Sequence, residues 1–128
     1  MSDQTDAVEI VQTFLRLVEA RDLAAATRYL ADDVTITFPG GRTFTDLDEQ
    51  VASSAGRFRS VTKIFEGFDT AAAAGGSVVY VFGTLTGRRL DETPFDGVRF
   101  IDRFVIKNGR ITDQRVWNDI AESGVLSG

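Results

Sequence analysis

The sequence predicts an α+β fold, with helices packed on one side of a curved antiparallel sheet, and three observations carry that prediction. Apolar residues recur at helical spacing in the N-terminal part of the chain, and the period changes to two from Ser60 onward. Elements segregated in this way argue for helices lying against a sheet rather than alternating with its strands. Glycines at 67, 83 and 87 interrupt the alternating run, where a long sheet can bend.

Asp6 followed by Glu9 gives a start resembling a capping box, and Val8, Val11, Phe14, Leu15 and Val18 then fall on one helical face, so a first helix is expected over 6–20. Ile10 and Leu17 widen that face, as in a helix covered on more than one side. Asp22 can cap a second helix over 23–30, rich in alanine. Val34, Ile36 and Phe38 alternate with threonines in a half-buried strand that Pro39-Gly40-Gly41 ends. Thr45 is expected to cap a third helix, with Asp46, Asp48 and Glu49 at the positive end of its dipole and Leu47, Val51, Ala55 and Phe58 on one face. Four long strands follow, over 61–73, 77–86, 98–108 and 110–120, with breaks at Gly75-Gly76, at Thr93-Pro94 and at the hairpin dipeptide Asn108-Gly109.

The 128 residues, 43% hydrophobic and including ten phenylalanines, suit a single domain over 1–128 with one packed core. A net charge of -5 and basic runs no longer than Arg57-Phe58-Arg59 and Arg88-Arg89 exclude a continuous cationic surface for nucleic acid. No apolar stretch approaches the ~20 residues that span a bilayer, and the first residues are acidic rather than those of a secretory signal, so a cytoplasmic protein without a membrane partner is expected. The absence of histidine and cysteine removes the usual general base near neutral pH and the commonest zinc ligands. No calcium loop, phosphate-binding loop, dinucleotide fingerprint or nucleophile elbow is present, so neither metal nor cofactor is expected. Any catalysis must run on carboxylates, Lys, Tyr or Ser/Thr.

In this element order, the run Ile10-Val11-Gln12-Thr13-Phe14-Leu15, the junction Arg21-Asp22-Leu23, the segment Leu30-Ala31-Asp32-Asp33-Val34 and the pair Phe100-Ile101-Asp102-Arg103-Phe104 with Gly109-Arg110-Ile111 resemble the nuclear transport factor two-like superfamily over nearly the whole chain. The resemblance implies a cone-shaped α+β barrel of the SnoaL-like kind, three N-terminal helices closing a curved sheet around an apolar pocket, on a scaffold that hosts many chemistries. Compared with ketosteroid isomerases, the position of the general base is Phe38, before Pro39, and that of the oxyanion-binding tyrosine is Phe14; only the second oxyanion-hole acid has a counterpart, Asp102. The limonene epoxide hydrolase set is missing as well: its last-strand aspartate corresponds to Val116, and the strand around 78–86 has neither Arg nor Asp. What remains is Asp102, which resembles the acid/base aspartate of SnoaL-like cyclases without the histidine that usually accompanies it.

Alternation places Phe100, Asp102, Phe104 and Ile106 on the inner face of their strand and Arg99, Ile101, Arg103, Val105 and Lys107 on the outer. Desolvation in this apolar row should raise the Asp102 pKa, and a protonated carboxyl there could donate to a carbonyl or shuttle a proton. The same group could equally satisfy a neighbouring amide, hydroxyl or Arg in a structural network. Gln114, Val116 and Asn118 form the matching inward set on the last strand. Phe14, Phe38, Phe82, Phe100 and Phe104 serve as core or, in the family's open cone, as walls of the ligand site, and Tyr29 and Tyr80 are the available phenols. Ile101, Trp117 and the arginines of the outer face have the composition of an interface core, which points to a homodimer through the sheet.

Three functions fit these residues. The first is a cofactor-independent isomerase, cyclase or dehydratase in which Asp102 works on an apolar carbonyl or polycyclic substrate oriented by Gln114 and Asn118. The second is a non-catalytic binder of a small apolar molecule, and the third a dimeric accessory protein with a filled core.

Overall fold

The structure is a computed structural model that describes residues 3–124. Its elements are α1 (Asp3–Glu19), α2 (Leu23–Thr27), β1 (Leu30–Phe38), β2 (Arg42–Phe44), α3 (Leu47–Ser54), β3 (Ser60–Ala73), β4 (Gly76–Arg88), β5 (Pro94–Lys107), β6 (Arg110–Asn118) and α4 (Ile120–Ser123), with a 3-10 turn at Pro39–Gly41. The α+β architecture, with three helices ahead of four long strands, is the one expected. Among the described residues no helix is long and apolar enough to cross a membrane.

Several boundaries differ from the expectation, each for a local reason. α1 already runs from Asp3, so Asp6 lies inside the helix rather than capping it. The helix ends in a Schellman arrangement: Arg21 adopts φ 61, its N–H donates to the Val18 carbonyl, and the Asp22 N–H donates to the Leu17 carbonyl, both at 3.0 Å. Asp22 then caps α2 as expected, its side chain accepting from the Ala25 N–H. α2 stops at Thr27, and Leu30 pairs with Ile111 as the start of β1, so sheet pairing overrides helix propensity there. Asp46, rather than Thr45, caps α3, with Oδ1 accepting from the Asp48 N–H at 2.7 Å. Ala55, expected on the inner face of α3, is exposed.

The six strands form one sheet in the order β2-β1-β6-β5-β4-β3. It is mixed rather than wholly antiparallel, because β1 pairs in parallel with β6. Residue alternation sets which face is buried but not which strands become neighbours, so this pairing between the two ends of the chain was not evident in the sequence. β2, three residues long at the sheet edge, is too short to show a period, and β6 ends at Asn118, where the Asn118 side chain accepts from the Ile120 N–H to start α4. The Asn108-Gly109 turn has φ 51 and 75, the left-handed pair expected of a tight hairpin.

The core lies between α1 and the inner sheet face. Phe14 meets Phe104 edge to face at 6.1 Å, surrounded by Val11, Ile36, Val79, Val81 and Ile111, all with essentially no exposure. Bulges interrupt the β3–β4 and β4–β5 ladders and bend the long strands. Gly83 is required at this bend: a Cβ there would lie 1.9 Å from the carbonyl oxygen of Ile64, so only glycine lets β3 come this close beside Lys63.

Candidate functional site

Alternation along β5 turns Phe100, Asp102 and Phe104 inward, and all three are buried, Asp102 with 0% exposure. A carboxylate taken fully out of water needs a compensating partner. The partner comes from the far edge of the sheet. Along residues 61–66 of β3, Val61, Lys63 and Phe65 are half-buried and Thr62, Ile64 and Glu66 exposed. Lys63 reaches inward past the Phe100 ring, with Nζ 5.2 Å from its centroid, and donates to Asp102 Oδ2 at 2.6 Å.

The backbone of Lys63 is fixed as firmly as its side chain. β3 is an edge strand, so half its backbone groups have no strand partner. At Lys63 the end of α1 supplies them: the N–H donates to Glu19 Oε2 at 2.8 Å, and the carbonyl accepts from Arg16 Nη1 at 3.1 Å. Arg16 and Glu19 are themselves paired at 2.9 Å, which closes a clamp around this one residue.

The other oxygen of Asp102, Oδ1, is buried and has no hydrogen-bond partner among the described residues. Complete burial raises the Asp102 pKa, and the charge and hydrogen bond of Lys63 oppose the rise. Gln114 also favours the charged form, but its amide does not close a hydrogen bond to Oδ1.

Asp102 and Lys63 lie on a cavity of about 160 Å³. Its walls include the buried Phe14, Leu47, Gln50, Leu85, Phe100, Gln114 and Val116 and the half-buried Phe38, Val51 and Phe58. Asn118 lines it too, with its amide oxygen engaged by α4 and its NH₂ left to donate. Thus Asp102, Phe14, Phe38, Phe100, Gln114, Val116 and Asn118 are brought together around one space.

Two of the expected wall residues are not there. Phe82 is on the outer face of β4, in register with Ile101, and its ring covers Gly67. The alternation of β4 buries Val79, Val81 and Leu85, and Phe82 is of the opposite parity. Phe104 faces inward but is packed behind Phe14, in the core rather than on the cavity. Neither Tyr29 nor Tyr80 lines the cavity.

Sequence reasoning missed Lys63 and Gln50. The signal for Lys63 was present, since the alternation Val61-x-Lys63-x-Phe65 places a cation on an otherwise apolar inner face. Gln50, one turn after Leu47 on the buried side of α3, is 8% exposed, and no hydrogen bond of its side chain to the described residues is found. Among the described residues no group of three or more acidic side chains is placed to hold a metal ion.

Known proteins share this arrangement of elements. A family model described as a SnoaL-like domain matches residues 11–114. An NTF2-like protein of unknown function from Burkholderia pseudomallei superposes with a TM-score of 0.78 at 21% identity, covering 98% of each chain. TerC, co-crystallized with polyporic acid, gives a TM-score of 0.81 at 18% identity, over 96% of this chain and 99% of its own. A candidate polyketide cyclase from Xanthomonas campestris pv. campestris gives 0.76 at 14% identity, over 99% of this chain and 100% of its own. At these identities the likeness is one of fold. No curated protein sequence matches the chain.

The raised pKa has a definite consequence for stability. A carboxyl whose folded pKa lies above its unfolded value of 3.8 binds more protons when folded, so its contribution is fully present below that value and is lost as the pH rises through the folded pKa. The difference in unfolding free energy between wild type and Asp102→Asn, measured by urea denaturation, should therefore fall from about pH 4 upward and then level off. A difference independent of pH would show that Asp102 titrates normally.

Proposed function

Since the chain belongs to the SnoaL-like domain family, we propose that it is a cofactor-independent acid/base enzyme acting on a carbonyl compound in the Asp102 cavity. The observation that carries this reading is the asymmetry of Asp102, a residue of the cavity lining: one oxygen is held by Lys63 at 2.6 Å and the other, buried, has no hydrogen-bond partner among the described residues. An ionised carboxylate with a raised pKa is a stronger base than a solvated one, and the free oxygen is the atom that would take the proton.

In the proposed reaction the carbonyl oxygen of the substrate accepts from Lys63 Nζ, and Asp102 Oδ1 takes a proton from the adjacent carbon. The C–H electron pair becomes the enolate, whose developing charge the ammonium stabilises inside an apolar site. Return of the proton from Asp102 to another carbon of a conjugated enolate gives isomerisation, attack of the enolate on a second carbonyl whose oxygen takes that proton gives ring closure, and expulsion of a β-hydroxyl that takes it to leave as water gives dehydration. Gln114 and the Asn118 NH₂ orient the ligand. The cavity at Asp102 supports an enzyme or a binder over an accessory protein with a filled core. A binder that holds a small apolar molecule unchanged would use the same walls, with Lys63 and Asp102 as a structural pair.

Proton abstraction can be read without knowing the natural substrate. In D₂O, wild type should accelerate deuterium exchange at the carbons beside the carbonyl of 4-phenyl-2-butanone, followed by ¹H NMR. Asp102→Asn should lose that acceleration, and Lys63→Met should lower it by about 10²–10³-fold. Exchange equally fast with wild type and Asp102→Asn would leave the binder as the better reading.

We also propose that the protein is a homodimer through the outer sheet face. Phe82, Ile101 and Trp117 are in register across β4, β5 and β6, and Ile101 and Trp117 remain 37% and 48% exposed. Arg103 and Arg115 flank them, both near Asp113, at 3.7 and 3.1 Å, which gives an apolar centre with a polar rim. Sedimentation at micromolar concentration should show a dimer that Trp117→Asp converts to monomer. A monomeric wild type would overturn the proposal.

A further inference from the structure

The charged residues around the cavity do not balance. Asp102 is matched by Lys63, and Glu19 by Arg16, which leaves three arginines on the lining, Arg21, Arg42 and Arg57, in a chain of net charge -5. Arg42 and Arg57 are half-buried. Among the described residues neither side chain has an ion-pair or hydrogen-bond partner, and the nearest aromatic contact of Arg42 is the Phe38 ring, 6.0 Å from its guanidinium carbon. Partial burial lowers the pKa of Arg42, and the nearby charge of Arg57 lowers it further. Two like charges drawn together and partly desolvated cost free energy, and an anion between them would relieve that cost.

Arg21 adds a separate observation. It occupies the left-handed position that ends α1, φ 61, where glycine is the usual residue, and its guanidinium donates to the Val18 carbonyl at 3.0 Å. The backbone there favours glycine, yet the residue present carries a cation on the cavity lining.

We propose that the molecule bound in this cavity is a carboxylate: its acid group is held at the solvent side by Arg42 and Arg57, with Arg21 adding to the field, while its apolar body lies inward and its carbonyl points to Lys63. This deepens the reading of the cavity given above and rests on it. The planar forks of two guanidiniums match a carboxylate bidentately. The dimensions agree with a short molecule. A cavity of about 160 Å³ is close to the size of engineered apolar cavities that accept benzene, so the enclosed part is about one ring. Arg42 on β2 and Asp102 on β5 are three strand spacings apart, on the order of 14 Å along the sheet before the arginine and lysine side chains extend toward each other. A ring with a ketone at one end and an acid a few bonds away fills that span, whereas a large neutral polycycle would leave the arginines unmatched.

The test uses 3-benzoylpropionate and its methyl ester as matched probes, titrated by calorimetry into wild type and into Arg42→Gln/Arg57→Gln. Wild type should bind the acid at least about tenfold more tightly than the ester, about 1.4 kcal/mol. The double variant should lose that preference while keeping its affinity for the ester. With wild type alone, raising the salt from about 0.05 to 0.5 M should weaken binding of the acid and leave the ester unchanged, so the outcome does not depend on how well the variant folds. Equal binding of acid and ester by wild type, or equal loss of both in the variant, would overturn the carboxylate inference and leave the cavity reading standing. Binding of neither probe would contradict both.

Discussion

Burying the Asp102 carboxyl with no exposure carries a desolvation cost that Lys63, more than any other side chain, is placed to offset, and much of the structure serves to bring the two together. They start two strands apart, on β5 and on the edge strand β3, about 10 Å between backbones. The lysine crosses that distance because its stem is long, which brings its ammonium over the Phe100 ring, while Gly83 lets β3 close onto β4 at the neighbouring residue. Arg16 and Glu19 then tie both backbone groups of Lys63 to the end of α1. The same contacts protect a sheet edge and fix the position of the cation, so stability and site geometry rest on one set of residues.

Polarity around the cavity is graded. In order of decreasing burial the lining runs from Asp102 through aromatic and aliphatic walls to Arg42 and Arg57, which have no acid partner among the described residues. Such an arrangement fits a small ligand with a carbonyl at one end, and it does so without histidine, the residue most often used for proton transfer near neutral pH. Lys63 gives the chain a different second group. An ammonium close to a carboxylate stabilises a developing oxyanion but cannot accept a proton while charged, so the base in the proposed chemistry has to be Asp102.

Much of this was legible in the residues, and the exceptions have physical reasons. Asp102 stood out because it is the one carboxylate in an apolar row of period two, and the inward set of Gln114, Val116 and Asn118 followed from the same alternation. Phe82 was misplaced because aromatic character suggested an inner wall, while the parity of Val79, Val81 and Leu85 assigned it to the outer face. Phe104 has the right parity, but which inward residue meets a cavity and which meets a helix depends on where Phe14 packs. Lys63 went unnoticed because nothing but its parity with Val61 and Phe65 marks it as inward-facing. The parallel pairing of β1 with β6 and the three-residue strand β2 leave no local signal, since both arise from contacts between distant parts of the chain.

Titrating the side-chain carbon of Asp102 by carbon-detected NMR, with Asp102→Asn to assign the signal, would show whether this carboxyl is desolvated and held by Lys63. The midpoint should lie clearly above the ordinary carboxylate value of 3.8 and move higher still in Lys63→Met, because the opposing positive charge is gone. A midpoint at the ordinary value, unmoved by the lysine substitution, would mean a solvated acid with no poised partner.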